Sequence, residues 1–388
     1  MKWENPVGKQ IYLDYCATTP VHPDVCAAMR TILEGSCGNP SSMHWAGRAA
    51  AKQLDDTRST IADVLGCQAQ EVFFTSGATE ADNLALLGVM HCYSPGMAHL
   101  ITSSIEHHAV LHTAEYLASE GYAVTYLPVD HDGLIDLDNL EKSIRPETVL
   151  ISIMAVNNEV GVIQPLEEIG RRAHARGILF HSDAVQGLGL LNLSVKDWHI
   201  DLLSLTAHKI YGPKGVGALM VKDGIGLKPM MYGGSQERHL RPGTENVPGI
   251  VGLGAAMKLI AGKREGEILR IRALRHRLIE GLRQIAPDLI VNGPQTASAD
   301  NILSVSFPGV DAEMMLIRLN GEGIAVSMGS ACTSKDIEPS HVLSAMGLPR
   351  PQIDATLRIS LGMTTTEEDI QQFLERFSPI YTRVRMTT

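Results

Sequence analysis

The chain is poor in aromatic residues, in paired cysteines and in long apolar runs. Aromatic residues make up 5% of its 388 residues, and its six cysteines include no Cys-X-X-Cys pair. Cysteines spread in this way indicate free thiols rather than a disulfide framework or a zinc site. No stretch approaches the roughly 18 apolar residues of a membrane-spanning helix, and the first residues lack the apolar core of a secretory signal. We therefore expect a cytoplasmic protein with no membrane contact and no bound metal.

Positive charge is also scarce. The chain has 33 lysine and arginine residues against 43 aspartate and glutamate residues, a formal net charge of −10. Because non-specific binding to nucleic acid needs a positive field, we expect no direct nucleic-acid partner. Small anionic ligands remain compatible with this charge, because a local site rather than the net charge holds them.

Apolar strands alternate with amphipathic helices over the first two thirds of the chain. This pattern is typical of an α/β protein with a mostly parallel sheet that is covered on both faces. The predicted strands are 71–75, 99–102, 123–127, 149–154, 178–181, 202–205 and 216–221, and the predicted helices include 43–65, 80–90, 110–119 and 166–176.

The length and the later pattern predict two domains. A long helical stretch follows Pro248 and is interrupted by the polar segment 262–266, and a second run of strands and helices begins near Asn301. We expect a large domain over 17–262 and a smaller α/β domain over 263–388. The pattern of the short strand 10–15 leaves open which domain it joins; we assign residues 1–16 to the small one.

The segment 202–213 carries the most informative motif. An apolar run ends in Thr206-Ala207-His208-Lys209 just before a Gly-Pro turn. A lysine that is partly desolvated beside another cationic group has a lowered amine pKa and can bond covalently to a carbonyl. Asp183 ends a neighbouring predicted strand, and a lysine with an aspartate is the pair that pyridoxal phosphate most requires. Taken separately, the two motifs are better explained by an exposed lysine and a helix-capping aspartate.

Three further strand ends carry polar groups. The turn after strand 71–75 begins a helix and places free N–H groups near Ser76 and Thr79, which favours an anion site or a simple helix cap. His107 could stack on a planar ring or carry protons, and Asn158 could bind an oxygen atom or only shape a turn.

Two residues near the C-terminus have reactive or costly side chains. Cys332 lies among Gly, Ser, Ala and Thr rather than among large apolar residues, which favours an accessible and reactive thiol. Arg358 lies within an apolar strand, where an unpaired charge is costly. A substrate carboxylate would pair with it, and a structural Asp or Glu would do so equally well.

Taken together, these segments resemble the cysteine desulfurases of the NifS/IscS kind, class V enzymes of fold-type I that depend on pyridoxal 5'-phosphate. The resemblance runs from residue 12 to residue 368 and is most specific at three motifs: Ser76-Gly77-Ala78-Thr79-Glu80, His208-Lys209-Ile210-Tyr211-Gly212-Pro213 and Gly329-Ser330-Ala331-Cys332-Thr333-Ser334. The third has the form of the group with a long cysteine loop. Cys16 and Met328 depart from residues that are common in that group.

The resemblance implies a role for each matching residue. Lys209 matches the lysine that bonds to the cofactor, Cys332 the cysteine that takes the sulfur, and His107 the imidazole that stacks on the ring. The other cofactor-binding matches are Ala78, Thr79, Asn158, Asp183, Gln186, Thr206, His208 and Thr244, of which Thr244 reaches the phosphate of a neighbouring subunit. Arg358 and Asn158, with Asn39 nearby, match the groups that hold the substrate carboxylate.

The implied activity is the conversion of L-cysteine to L-alanine, with the sulfur carried as a persulfide to an acceptor protein such as an iron–sulfur scaffold. The resemblance also implies a homodimer. A selenocysteine lyase or another class V enzyme, such as an aminotransferase, is the alternative. A scaffold without activity would be expected to have lost Lys209 or Cys332, and both are present.

Overall fold

Helices and strands alternate along the computed structural model, which describes residues 9–35, 37–328 and 339–386. The helices are α1 (Pro23–Gly35), α2 (Trp45–Leu65), α3 (Ala78–Met90), α4 (His108–Ser119), α5 (Leu137–Ser143), α6 (Leu166–His174), α7 (Val247–Ile285), α8 (Ala312–Gly321), α9 (His341–Ala345), α10 (Arg350–Asp354) and α11 (Glu367–Arg385). The strands are β1 (Ile11–Tyr12), β2 (Val72–Thr75), β3 (His99–Ser103), β4 (Ala123–Leu127), β5 (Thr148–Ser152), β6 (Leu179–Asp183), β7 (Leu202–Thr206), β8 (Gly217–Val221), β9 (Ile290–Asn292), β10 (Ile302–Ser306), β11 (Ile324–Ala325) and β12 (Thr356–Ser360).

A seven-stranded sheet forms the centre of the larger part of the molecule. Its strand order is β2-β8-β7-β6-β5-β3-β4. The pairs from β7 to β4 are parallel, whereas β8 runs antiparallel to both of its neighbours. The predicted α/β fold with a mostly parallel sheet is confirmed. All seven predicted strands form; β3, β7 and β8 are buried at every residue, whereas the edge strand β4 is mostly half-buried.

Alternate residues of the strands contact two helical layers. Leu100, Leu150 and Leu202 pack with the apolar residues of α3 and α4. Ile101 and Leu203, which point to the other face, pack with those of α2, α6 and the first half of α7. The two-residue period of a strand thus divides one apolar run between two layers.

A second apolar cluster lies in the C-terminal part. The three-stranded sheet β12-β10-β9 is antiparallel, and β1 pairs with β11 in parallel. Phe307, Phe373 and Phe377 lie at the centre of this cluster. Helix α7 contributes Ile260 to the first cluster and Ile271 to the second. The predicted domain limits therefore fall inside a helix, and they stay a prediction.

The predicted interruption of the helical stretch at 262–266 is wrong, because α7 continues from Val247 to Ile285. Gly262 and Gly266 each cost about 1 kcal/mol relative to alanine in a helix, which the packing on either side of them offsets. Over the described ranges, no helix is both long and apolar enough to cross a membrane.

Candidate active site

A cavity of about 710 Å³ opens at the carboxyl ends of β6 and β7. Ligands of open α/β sheets bind at this edge, where the strand ends present polar groups. The cavity brings together ten of the residues that the sequence predicts for a site: Ala78, Thr79, His107, Asn158, Asp183, Gln186, Thr206, His208, Lys209 and Arg358.

Lys209 ends the short 3-10 turn that follows β7. Its Nζ donates a hydrogen bond to the backbone oxygen of Cys16. Burial lowers the pKa of the Lys209 ammonium, and the positive charge of Arg358 lowers it further. The amine is therefore easier to deprotonate than an exposed lysine, as a nucleophile for a carbonyl requires.

Asp183 is the last residue of β6 and is 6% exposed. Its Oδ1 accepts the backbone N–H of Val185 at 2.9 Å. Burial raises the pKa of this carboxyl, while the nearby Lys209 lowers it. Gln186 follows on the same turn, and its Nε2 donates to the backbone oxygen of Cys16 at 3.1 Å. Gln186 thus shares its acceptor with Lys209, and the charge of Asp183 acts on the same lysine.

The N-terminus of α3 forms another wall. Ala78 and Thr79 are its first residues, and N–H groups at this position have no partner within the helix and attract anions. Gly217 lets β8 approach this turn closely, because a Cβ there would lie 2.8 Å from Gly77 Cα and 2.5 Å from Leu205 O. Thr206 Oγ1 lies beside Gly77 and donates to a backbone oxygen at 3.2 Å. Main-chain N–H donors and the Thr206 hydroxyl therefore lie close together here.

Two imidazoles that are held neutral line the same cavity. His107 precedes α4, and its Nδ1 accepts the N–H of Ala109 at 3.1 Å. Burial and the charge of Lys209 lower the pKa of His107 to about 4. A neutral ring that accepts at Nδ1 carries its proton on Nε2. The same two causes lower the pKa of His208 to about 4, and its Nδ1 lies 3.2 Å from Thr18 Oγ1.

Arg358 extends from β12 into the cavity and is 4% exposed. Its Nη2 lies 2.9 Å from Asp14 Oδ1, and its Nη1 donates to the backbone oxygen of Asn158 at 3.1 Å. The structural carboxylate that the sequence left open is therefore present. The Nε of Arg358 has no hydrogen-bond partner among the described residues, so one buried donor remains for a ligand.

Two predicted site residues lie elsewhere, and a third is not among the described residues. Asn39 is exposed in a turn where its Oδ1 accepts the N–H of Ser41 at 2.9 Å. Thr244 is exposed in the loop before α7, and neither residue lines the described cavity. Cys332 lies outside the described residues. The roles of these three residues stay predictions.

The cavity also contains side chains to which the sequence analysis assigned no role. Asp82, His108, Glu159 and His341 all line it. Asp82 could have been found from its place on the buried face of α3, where it lies between Ala81 and Leu84. His341 comes from α9, more than 200 residues from His108, and its nearby sequence does not reveal their contact.

Residues 11–373 match the family model described as aminotransferase class-V, and the chain belongs to this family. It is 46% identical over 378 residues to the cysteine desulfurase IscS of Methanosarcina thermophila, covering 97% of this chain and 93% of that protein. It is 43% identical over 377 residues to the cysteine desulfurase IscS of Dictyoglomus turgidum, covering 97% and 96%.

Solved structures agree with these sequence matches. A NifS-like protein superposes with a TM-score of 0.91 at 38% identity, covering 97% of this chain and 100% of that one. The structure titled SspA in complex with cysteine gives a TM-score of 0.81 at 38% identity, with 90% and 98% covered. The predicted family is confirmed.

Proposed function

We propose that this chain is a cysteine desulfurase, an enzyme that removes the sulfur of L-cysteine and leaves L-alanine. One observation carries the proposal: Lys209, Asp183, the N-terminus of α3 and Arg358 line the same cavity. Relatives that share 43% to 46% of their residues with nearly all of this chain bear that name, which supports the same conclusion.

The residues of the cavity fit pyridoxal 5'-phosphate, the cofactor of the family. The N–H groups of Ala78 and Thr79 and the hydroxyl of Thr206 would hold the phosphate, with His208 beside them. Lys209 would bond to the aldehyde carbon, since its amine is buried and its pKa is lowered. The bound cofactor supplies a ring that withdraws electrons from the Cα of the amino acid.

The remaining polar side chains of the cavity would contact the ring of the cofactor. Asp183 would pair with the protonated ring nitrogen and Gln186 with the ring hydroxyl, while the imidazole of His107 would lie against the ring face. Asn158, which lines the same cavity, would contact the cofactor or the substrate. Thr244 of one protomer would complete the phosphate site of its partner in a homodimer.

Different residues of the chain then carry out the separate steps of substrate binding and proton transfer. Arg358 binds the carboxylate of L-cysteine, for which its buried Nε has a free donor. Asn158 lies against this guanidinium, and Asn39 would approach the same end of the substrate. Lys209 removes and returns the proton at Cα, and His107 Nε2 exchanges a proton with the substrate thiol.

Cys332 is the sulfur acceptor in this proposal. Its thiolate attacks the substrate sulfur, the bond between Cβ and sulfur breaks, and Cβ gains a proton. One cysteine and one enzyme thiol thus become one alanine and one Cys332 persulfide, with atoms and electrons balanced. The persulfide then passes its outer sulfur to an acceptor protein, such as an iron–sulfur scaffold, or to a small thiol.

The test measures alanine and sulfide from L-cysteine, with pyridoxal 5'-phosphate and a thiol reductant present. We expect the two products in equal amounts from the unchanged chain. Lys209→Ala and Cys332→Ser should each reduce sulfide release to the rate without enzyme. Cys26→Ser is the matched control, because Cys26 is an exposed free thiol outside the cavity, and it should keep full activity.

Other products would overturn the proposal. Consumption of cysteine that requires a keto-acid acceptor, moves the amino group to that acceptor and releases no sulfide would indicate an aminotransferase. A much faster reaction with selenocysteine than with cysteine would indicate a selenocysteine lyase. Full sulfide release by Cys332→Ser would remove the persulfide step.

A further inference from the structure

Asp82 is a buried carboxyl that none of the roles above uses. It lies on the second turn of α3, is 1% exposed and lines the cavity. Its Oδ1 has no hydrogen-bond partner among the described residues. A buried carboxylate with one oxygen that accepts no hydrogen bond is costly, whereas a protonated carboxyl is much less so.

The polar neighbours of Asp82 provide no positive charge. His181 Nε2 lies 3.7 Å from Asp82 Oδ1, which is beyond hydrogen-bonding distance. The ring nitrogens of His181 instead lie 2.8 Å from Ser152 Oγ and 3.0 Å from Ser204 Oγ. Burial lowers the pKa of His181 to about 3, so the ring is neutral. Ser204, on the adjacent strand, also hydrogen-bonds to Asp82.

Two further acids face Asp82 from other elements. Asp183 lies at the end of β6, and Glu106 lies between β3 and α4. Burial raises the pKa of Asp82, and the negative charge of Asp183 raises it further. Burial also raises the pKa of Glu106, to about 8. Two buried carboxyls that interact strongly do not both ionise near neutral pH, so they titrate as a pair.

Hydrogen bonds distinguish the two aspartates. Asp183 accepts a backbone N–H from Val185 and lies near the amine of Lys209, and both favour its charged form. Asp82 Oδ1 has neither kind of contact. We propose that Asp82 and Asp183 form a proton-sharing pair in which Asp82 holds the proton and Asp183 holds the charge.

The consequence is a positioning role for Asp82. A neutral Asp82 lets Asp183 stay ionised in a buried site, so that Asp183 can pair with a protonated ring nitrogen. This consequence rests on the proposed function, because it uses the cofactor role of Asp183. The proton on Asp82 is a property of the protein itself and can be measured without cofactor or substrate.

Infrared difference spectroscopy tests the protonation directly, on the full chain at pH 7 with and without pyridoxal 5'-phosphate. We expect Asp82→Asn to remove a band of a protonated carboxyl group. The matched control is Asp201→Asn, since Asp201 is also buried but pairs with Lys222 at 2.9 Å. This control should remove a carboxylate band instead.

Two outcomes of the infrared experiment would overturn the proposal. One is the loss of a carboxylate band in Asp82→Asn. The other concerns the unchanged chain, made with aspartate that carries ¹³C at its side-chain carboxyl. If no band of a protonated acid shifts with this label, no aspartate holds a proton. The labelled protein carries no substitution, so this outcome does not depend on how well a variant folds.

A second measurement separates a positioning role from a merely structural one. As pH rises, Asp82 should ionise and place a second charge near the cofactor, so the cofactor absorbance of the unchanged holoenzyme should show a titration step that Asp82→Asn lacks. Activity of the variant at pH 7 should stay within about threefold, because an amide resembles the neutral acid in shape. Identical titrations would contradict the pairing. A chain that releases no sulfide from cysteine but shows the infrared band would overturn the proposed function alone.

Discussion

Lys209 and Arg358 illustrate how single residues acquire their properties from burial. Both are cationic side chains at the wall of one cavity, and the charge of Arg358 adds to burial in lowering the pKa of Lys209. Arg358 keeps its charge because a guanidinium is not deprotonated in proteins, so Lys209 is the group whose protonation can change. A permanent cation beside an amine of lowered pKa is a suitable pair for binding a carboxylate and attacking a carbonyl.

Replacement of Arg358 by lysine tests its role in binding. Arg358→Lys keeps a positive charge but loses the planar set of donors that matches a carboxylate. We expect the KM for L-cysteine to rise roughly tenfold, which corresponds to about 1.4 kcal/mol, with a smaller change in kcat. Steady-state kinetics measure both constants.

Asp14→Asn is the control for this variant, because it removes the ion pair of Arg358 and leaves the guanidinium in place. Its KM for L-cysteine should stay within about threefold of the original value. An equal rise in KM in both variants would show that Arg358 acts through its contact with Asp14 rather than through the substrate.

At the scale of elements, the site depends on how closely α3 approaches the sheet. The turn before α3 lies against Gly217 of β8, and a methyl group at residue 217 would meet two backbone segments at less than 3 Å. Backbone atoms cannot move away as a flexible side chain can. The position of the turn that we propose to bind the phosphate is therefore coupled to the absence of one side chain on a neighbouring strand.

The substitution Gly217→Ala tests this coupling. Overpacking of this kind costs typically 1–3 kcal/mol, so we expect the free energy of unfolding to fall by about 2 kcal/mol and the affinity for pyridoxal 5'-phosphate to weaken. Urea unfolding and cofactor titration measure the two effects. Gly226→Ala is the control, because nothing lies within 4 Å of the added methyl group. Equal behaviour of the two variants would contradict the tight contact.

Elements also mark the limit of what the sequence predicts. The seven central strands could be predicted because each is a short apolar run between turns, and Lys209 and Asp183 could be predicted because they directly follow or end such runs. The contact of Arg358 with Asp14 could not, since 344 residues separate them and no local pattern joins them. The continuity of α7 was missed for the opposite reason: a local glycine pattern indicated a break that tertiary packing overrides.

At the scale of the whole molecule, the cavity draws on distant parts of the chain. Its wall includes Cys16 near the N-terminus, Lys209 in the middle and Arg358 near the C-terminus. The segment between β1 and α1 contacts the turn of Lys209, and β12 carries Arg358 in from the smaller sheet. A complete site therefore exists only when both apolar clusters are formed and joined through α7.

The central claim is that the Lys209 amine bonds to the aldehyde carbon of pyridoxal 5'-phosphate. Borohydride reduction of the holoenzyme fixes such a bond, and peptide mapping by mass spectrometry then locates the cofactor. We expect the cofactor on the peptide that contains Lys209 and on no other peptide. A cofactor fixed to a different lysine, or a reduced protein that carries none, would contradict the claim.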